Sequence, residues 1–153
     1  MTADPPAAEP PAAEPPAAEP PGSAEPPGSA EPSSGRRPLV IVDAANVVGS
    51  RPDGWWRDRP GAAARLLREL VTDPGSDTLV VLEGAARGGH DPGMAGSVLV
   101  AHAPGSGDDE MVRLAGDAVA DGRAVTVVTS DRGLRERVTA LGASVAGPRS
   151  VRP

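Results

Sequence analysis

Four short runs of continuous apolar, β-branched-rich sequence recur along the chain: PLVIV (38–42), TLVVL (78–82), SVLVA (97–101) and AVTVV (124–128), with a weaker fifth, ASVAG, at 143–147. Such runs leave no polar face for solvent, so they suit strands buried on both sides of a parallel sheet better than half-exposed alternating strands. Between them, apolar residues fall at helical spacing: Ala63, Leu66, Leu67, Leu70 and Val71; Met111, Leu114, Ala115, Ala118 and Val119; then Leu134, Val138 and Leu141. Each helical stretch meets a stop signal, DPG at 73–75, DG at 121–122 and Gly142. Strand alternating with helix predicts an α/β fold, a three-layer α/β/α sandwich around a central, mainly parallel sheet. The stretch from Gly84 to Gly96, with Gly88, Gly89, Pro92 and Gly93 inside it, has no room for a stable helix and reads as a mobile crossover or loop.

Residues 1–35 cannot join this core. They are almost entirely Pro, Ala, Glu, Gly and Ser, with PPAAE repeating from Pro5 to about Glu19 before loosening to PPGSAE. Proline at this density removes backbone donors and favours extended conformations, and the residues between offer too little apolar surface to offset chain entropy. The sequence therefore divides into a disordered, semi-stiff tail over 1–35 and one domain over 36–153. The tail holds six acids (Asp4, Glu9, Glu14, Glu19, Glu25 and Glu31) and no base, so the formal charge of −6 misleads. Of 21 acids, 15 remain in the domain, against 15 arginines and no lysine. A neutral domain is not a basic groove binder by bulk charge, and nucleic-acid affinity would have to come from local arginine clusters.

The absence of cysteine excludes disulfides, thiolate zinc sites and Cys nucleophiles. No segment reaches membrane-spanning length and the N-terminus lacks a signal-peptide pattern, so the expectation is a soluble, cytoplasmic protein with no membrane partner.

In an open parallel sheet, ligands bind beyond the carboxyl ends of the strands. Those ends are acidic here: Asp43 after the first run, Glu83 after the second, Asp108, Asp109 and Glu110 after the third, and Ser130 with Asp131 after the fourth. Singly, each has an ordinary reading, as an Asx-turn at Asp43 and Asn46 or as helix caps and first-turn acids elsewhere. Together they would repel, and folds tolerate such clustering mainly where divalent cations neutralise it. Oxygen-only donors suit Mg²⁺ or Mn²⁺, which could support two-metal phosphoryl hydrolysis. Asn46 is placed to orient Asp43 or a substrate phosphate, and Ser130 to do the same for Asp131.

Arg51, Trp55, Trp56, Arg57 and Arg59 combine cations for phosphate with rings for base stacking, the means of holding single strands. The competing reading places one Trp in the core, since these are the only aromatic rings. Arg87 and Arg132 are further candidates for phosphate contact. GAARGG around Arg87 is not a phosphate-binding P-loop, because GxxxxGK[ST] is absent, and His90 belongs to the same loop. His102, at a strand end, reads as a structural hydrogen-bonding residue before a proton carrier.

DAAN (43–46), GSGDDEMV (105–112) and VTVVTSDRGLRERV (125–138) resemble, in order and placement, a bacterial NYN domain of the PIN-like ribonuclease superfamily, close to its YacP-like branch. The resemblance spans Pro38 to about Val151. It implies a PIN-like sandwich with metal-dependent endoribonuclease activity on single-stranded RNA. It places the catalytic set at Asp43, Asn46, Asp108 or Asp109, Ser130 and Asp131; joined to the reading of the strand ends, metal is expected at Asp43, Asp108, Asp109 and Asp131, with Glu83 as an outer member. Ala44 departs from the pattern, where relatives often carry Gly. Two alternatives stand beside this reading: a nucleotide phosphohydrolase or pyrophosphohydrolase using the same carboxylates, and a non-catalytic nucleic-acid or protein adaptor with the Pro-rich tail as its contact arm.

Overall fold

The computed structural model describes residues 36–152, so the expected tail over 1–35 lies outside the described residues. The apolar runs become strands β1 (Leu39–Asp43), β2 (Asp77–Leu82), β4 (Val98–His102), β5 (Val125–Val128) and β6 (Ser144–Ala146), joined by a short β3 (Gly93–Ala95). They form one sheet in the order β3-β4-β2-β1-β5-β6, parallel throughout except that β3 runs antiparallel to β4. Helices α1 (Ala44–Gly49) and α2 (Arg59–Glu69) serve one face, and α3 (Gly107–Ala120) and α4 (Arg132–Ala140) the other.

Alternation along each strand splits the core in two. Leu39 and Ile41 of β1, Leu79 and Val81 of β2, and Val125 and Val127 of β5 pack with Met111, Ala115, Leu134 and Val138 on the α3–α4 face. Val42, Val80, Leu82 and Val128 pack with Val47, Ala63 and Leu66 on the α1–α2 face. Both faces of the strands are covered, which accounts for continuous apolar sequence where a half-exposed sheet would alternate. The chain leaves β1 toward β2 and β4 and returns through α3 to β5 on the far side of β1, so β1 and β5 flank the switch point of the topology. Among the described residues no helix is long and apolar enough to cross a membrane.

Three local expectations need correction. The first amphipathic helix ends at Glu69 and not at the DPG signal: Leu70 turns extended, and Val71, exposed, donates its N–H to the Val151 carbonyl at 2.8 Å. The AANVVG segment after Asp43 is a helical turn, α1, and not only an Asx-turn leaving the strand. The glycine-rich stretch is not a structureless loop, because Gly84–Gly89 form a 3₁₀ helix and Gly93–Ala95 pair with β4.

Glycine is what allows that 3₁₀ helix to dock. A Cβ on Gly89 would stand 2.5 Å from the Pro60 carbonyl oxygen and 2.9 Å from the Ala63 Cβ, both on α2. The absence of side chains, read from sequence as a signal for mobility, instead permits close packing. Gly89→Ala is therefore expected to lower stability by about 1–3 kcal/mol through overpacking, seen as a lower urea midpoint. An unchanged midpoint would show that the segment yields as a loop does.

Candidate active site

Asp43, Glu83 and Thr129 are the next inward-facing positions after the core residues Ile41, Val81 and Val127, so the α3–α4 side of the sheet changes from apolar to polar at its carboxyl edge. Asp43 lies opposite Val81 in the β1–β2 register, and the β1–β5 register ends at Val42 opposite Val128, leaving Thr129 beside Asp43. Strand periodicity alone thus delivers a carboxylate and a hydroxyl to the switch point between β1 and β5, where such sheets bind ligands.

Asp43 is buried, at 6 % exposure, and both of its oxygens are engaged. Oδ2 accepts from the Thr129 hydroxyl at 2.8 Å, and Oδ1 accepts from the Asn46 N–H at 3.3 Å, capping α1. Burial pushes its pKa up to about 6 from an ordinary 3.8; the bonds from Thr129 and Asn46 oppose the rise, and the charges of Asp108 and Glu83 add to it. Thr129 is fully buried and also accepts from the Asp131 N–H at 3.0 Å, so one hydroxyl ties Asp43 to the Asp131 backbone.

The other acids surround this pair. Asp131 caps α4, accepting from Leu134 N–H at 3.0 Å, and Glu83 accepts from the Gly107 N–H at the start of α3. Asp108, half-buried in the first turn of α3, has its pKa raised by desolvation and then by the charges of Asp131 and Glu83, with Asp109 adding and Arg137 opposing. Asp109 itself is exposed and bridges to Arg137 at 3.0 Å. The two adjacent aspartates, equivalent in the sequence, therefore diverge: Asp108 joins the group around Asp43, and Asp109 pairs with α4.

Asn46 and Ser130 come together, but not as expected. The Asn46 Oδ1 accepts from the Ser130 N–H at 2.9 Å and from its hydroxyl at 3.0 Å, so these side chains clamp α1 to the β5–α4 connection, with neither side chain bonding Asp43 or Asp131. Arg135 supports the same connection by donating to the Thr129 carbonyl at 2.7 Å. Among the described residues no three His, Cys, Asp or Glu side chains form a ready-made metal-ligand group. The acids are near enough to repel but are not drawn into a cage.

The expected RNA-contacting residues separate. Trp55 is half-buried against the α1–α2 core and, with Arg59 and Glu83, lines a cleft of about 60 Å³. Trp56 is 53 % exposed, with the Arg57 guanidinium 5.6 Å from its ring centre. Thus one ring serves the core and the other faces solvent. Arg87 turns back to the Gly84 carbonyl at 3.1 Å, Arg132 lies exposed at the start of α4, and Arg51 is exposed after α1. His102 bonds the His90 carbonyl at 2.7 Å, the structural role expected of it.

Thr129 was not singled out by sequence reasoning, since a Thr ending a β-branched strand looks like part of the strand. Its signal was parity, as it stands two positions past Val127 and in register beside Asp43.

The pKa of Asp43 makes a testable demand. The folded state binds this proton more tightly than the unfolded chain, so its stabilisation is complete below the unfolded pKa and is lost as pH rises through about 6. In metal-free protein, Asp43→Asn is expected to exceed wild type in stability near neutral pH, by up to about 3 kcal/mol, with the gap closing toward pH ~4. Urea titrations across that range check it, and a gap independent of pH would contradict it.

No protein-family model and no curated protein matches this sequence. In structure, the chain is similar to Rae1 (YacP) from Bacillus subtilis, solved as a point mutant, with a TM-score of 0.50 and 18 % identity over 73 % of this chain and 70 % of that one. The six-stranded, mostly parallel sheet with helices on both faces thus has a YacP-like α/β fold.

Proposed function

We propose that the chain is a metal-dependent endoribonuclease that hydrolyses phosphodiester bonds of single-stranded RNA at the carboxyl edge of its sheet. The observation that carries this reading is the grouping of the acids: Asp43 and Asp108 both hold their protons more tightly than free carboxyls, through burial first and then through neighbouring acids, Asp108 and Glu83 beside Asp43 and Asp131 and Glu83 beside Asp108. Capping explains Asp43, Asp131 and Glu83 one at a time, since each accepts from a helix N-terminus, but it does not require them to gather at one edge of the sheet. The YacP-like fold and the motifs at 43–46, 105–112 and 125–138 favour the same chemistry.

The donor set fits a hard divalent cation, Mg²⁺ or Mn²⁺. It is all oxygen, it carries excess negative charge, and an open rather than caged arrangement suits an ion that retains waters and takes one or two carboxylates together with substrate phosphate. Asp43 and Asp108 would hold the ion, with Asp131 and Glu83 as outer members. Bound there, it would supply Lewis-acid stabilisation of the charge developing on the phosphodiester and an activated water. The chain's own residues supply position. Thr129 and the Asn46 N–H fix both oxygens of Asp43, and the Asn46–Ser130 clamp holds the connection that carries Asp131. Asp109, paired with Arg137, stands outside this set. Trp56 with Arg57 offers an exposed ring and cation for a base and its phosphate. RNA is the proposed partner and the cytoplasm the proposed location.

Purified protein is expected to cleave single-stranded RNA with Mg²⁺ or Mn²⁺ and not with EDTA. Asp43→Asn and Asp108→Asn should each lower the rate by at least about a hundredfold, and Asp109→Asn by less than about tenfold. Equal losses at Asp108 and Asp109, or phosphate release from nucleotides without polymer cleavage, would contradict this assignment.

A further inference from the structure

Ser130 is also one wall of a second hollow, of about 650 Å³, lined by Ser50, Arg51, Pro148, Arg149 and Arg152. The cations come from distant parts of the sequence, Arg51 after α1 and the other two from the C-terminal 3₁₀ turn (Pro148–Val151) and the residue after it. None of the lining residues is acidic. Arg152 is fixed in place, with Nη1 donating to the Val47 carbonyl at 2.7 Å and to the Ser50 hydroxyl at 3.1 Å. Its pKa is lowered by burial first and by the Arg51 charge second; Arg65 adds to this, and Asp53 and Glu69 offset only part of it. Arg51 and Arg149 are exposed and, among the described residues, their guanidinium groups make no hydrogen bond or ion pair.

Elsewhere in this fold several arginines are matched with acids, while Arg57, Arg87 and Arg135 are engaged by a ring or a backbone carbonyl. Arg37 and Arg123 share Asp77, Arg113 takes Glu110 and Asp117, and Arg137 takes Asp109. Converging guanidinium groups without a matching carboxylate in the hollow leave repulsion that an anion would relieve, and a planar fork of donors suits phosphate oxygens. The hollow adjoins the acid group through one residue: Ser130 lines the hollow, bonds Asn46, and precedes Asp131.

We infer that the Arg51–Arg149–Arg152 hollow binds a phosphate of the RNA strand, next to the phosphodiester presented to the carboxylates. This inference rests on the ribonuclease reading for its ligand. Opposite charges side by side would then divide the work, the basic hollow gripping one phosphate while the acidic edge, with its cation, receives another.

The test is binding rather than cleavage, so the two readings fail separately. A fluorescent single-stranded RNA oligonucleotide is titrated with full-length protein in EDTA at several salt concentrations, with 5′-hydroxyl and 5′-phosphate forms compared. Arg51→Gln/Arg149→Gln is expected to weaken binding on the order of tenfold and to reduce the salt slope by about 0.7, the value for one lost phosphate contact on a single strand. Loss with both oligonucleotides marks an internal phosphate, and loss confined to the 5′-phosphate form marks a terminal one; either supports the site. Both side chains are exposed and unbonded, so thermal melting should not fall, and the single Arg149→Gln variant should show a smaller change in slope than the double variant. RNA that binds wild type and the double variant alike, or binds neither, overturns the inference. An arginine-dependent affinity in a protein that cleaves no RNA with Mg²⁺ or Mn²⁺ would instead overturn the ribonuclease reading and leave the hollow standing.

Discussion

A carboxylate buried at the end of the central strand is costly, and the surroundings of Asp43 are organised around that cost. Removing a charge from water without partners would drive its proton affinity far up. Here the Thr129 hydroxyl and the Asn46 N–H hold the shift to a pKa of about 6, and these same bonds join β1 to the β5–α4 connection and to α1. The rest of the edge follows from this anchor. Thr129 reaches the Asp131 backbone, Asn46 reaches Ser130, and Arg135 closes the connection from α4.

The two edges of the sheet resolve their acids in opposite ways. At the amino edge, Asp77 is shared by Arg37 and Arg123 at 2.9 and 2.8 Å, and its pKa is lowered, first by the Arg37 bond. At the carboxyl edge, Asp43 and Asp108 are raised. A fold seeking only stability would treat both edges like the first. Arg51, Arg149 and Arg152 lie to one side of the second, in the hollow with Ser130, and Arg137 is taken by Asp109. Acids and bases are therefore segregated along one edge, an arrangement that suits a polyanion bridged by a cation.

Much of this was legible in the sequence, and the reasons differ by element. The strands were readable because burial on both faces forces continuous apolar runs, and the acids were readable because they end those runs. Asp108 could not be separated from Asp109, since neighbouring helix positions point about 100° apart and only the docking of α3 decides which one faces the sheet. The α1 turn was hidden by Val47 and Val48, β-branched residues that favour strands but here pack into the core. The 3₁₀ helix over Gly84–Gly89 is hidden because glycine signals both freedom and close approach, and only the position of Pro60 and Ala63 tells them apart. Trp55 and Trp56 likewise needed a core to be packed against before their roles could part. Arg149 and Arg152 carry no local pattern, and their significance lies in the approach of the C-terminal turn to α1.

The central claim is that the cost of the buried Asp43 charge is relieved by a divalent cation. Calorimetric titration of Mn²⁺ near pH 6, in two buffers of different ionisation enthalpy, tests it most directly, because a cation that binds at Asp43 must displace a proton that is partly bound at that pH. The expected result is Mn²⁺ binding with proton release near pH 6, little release above pH ~7.5, and loss of both binding and release in Asp43→Asn. Mn²⁺ binding that is absent, or that is the same in wild type and Asp43→Asn with no proton released, would contradict it.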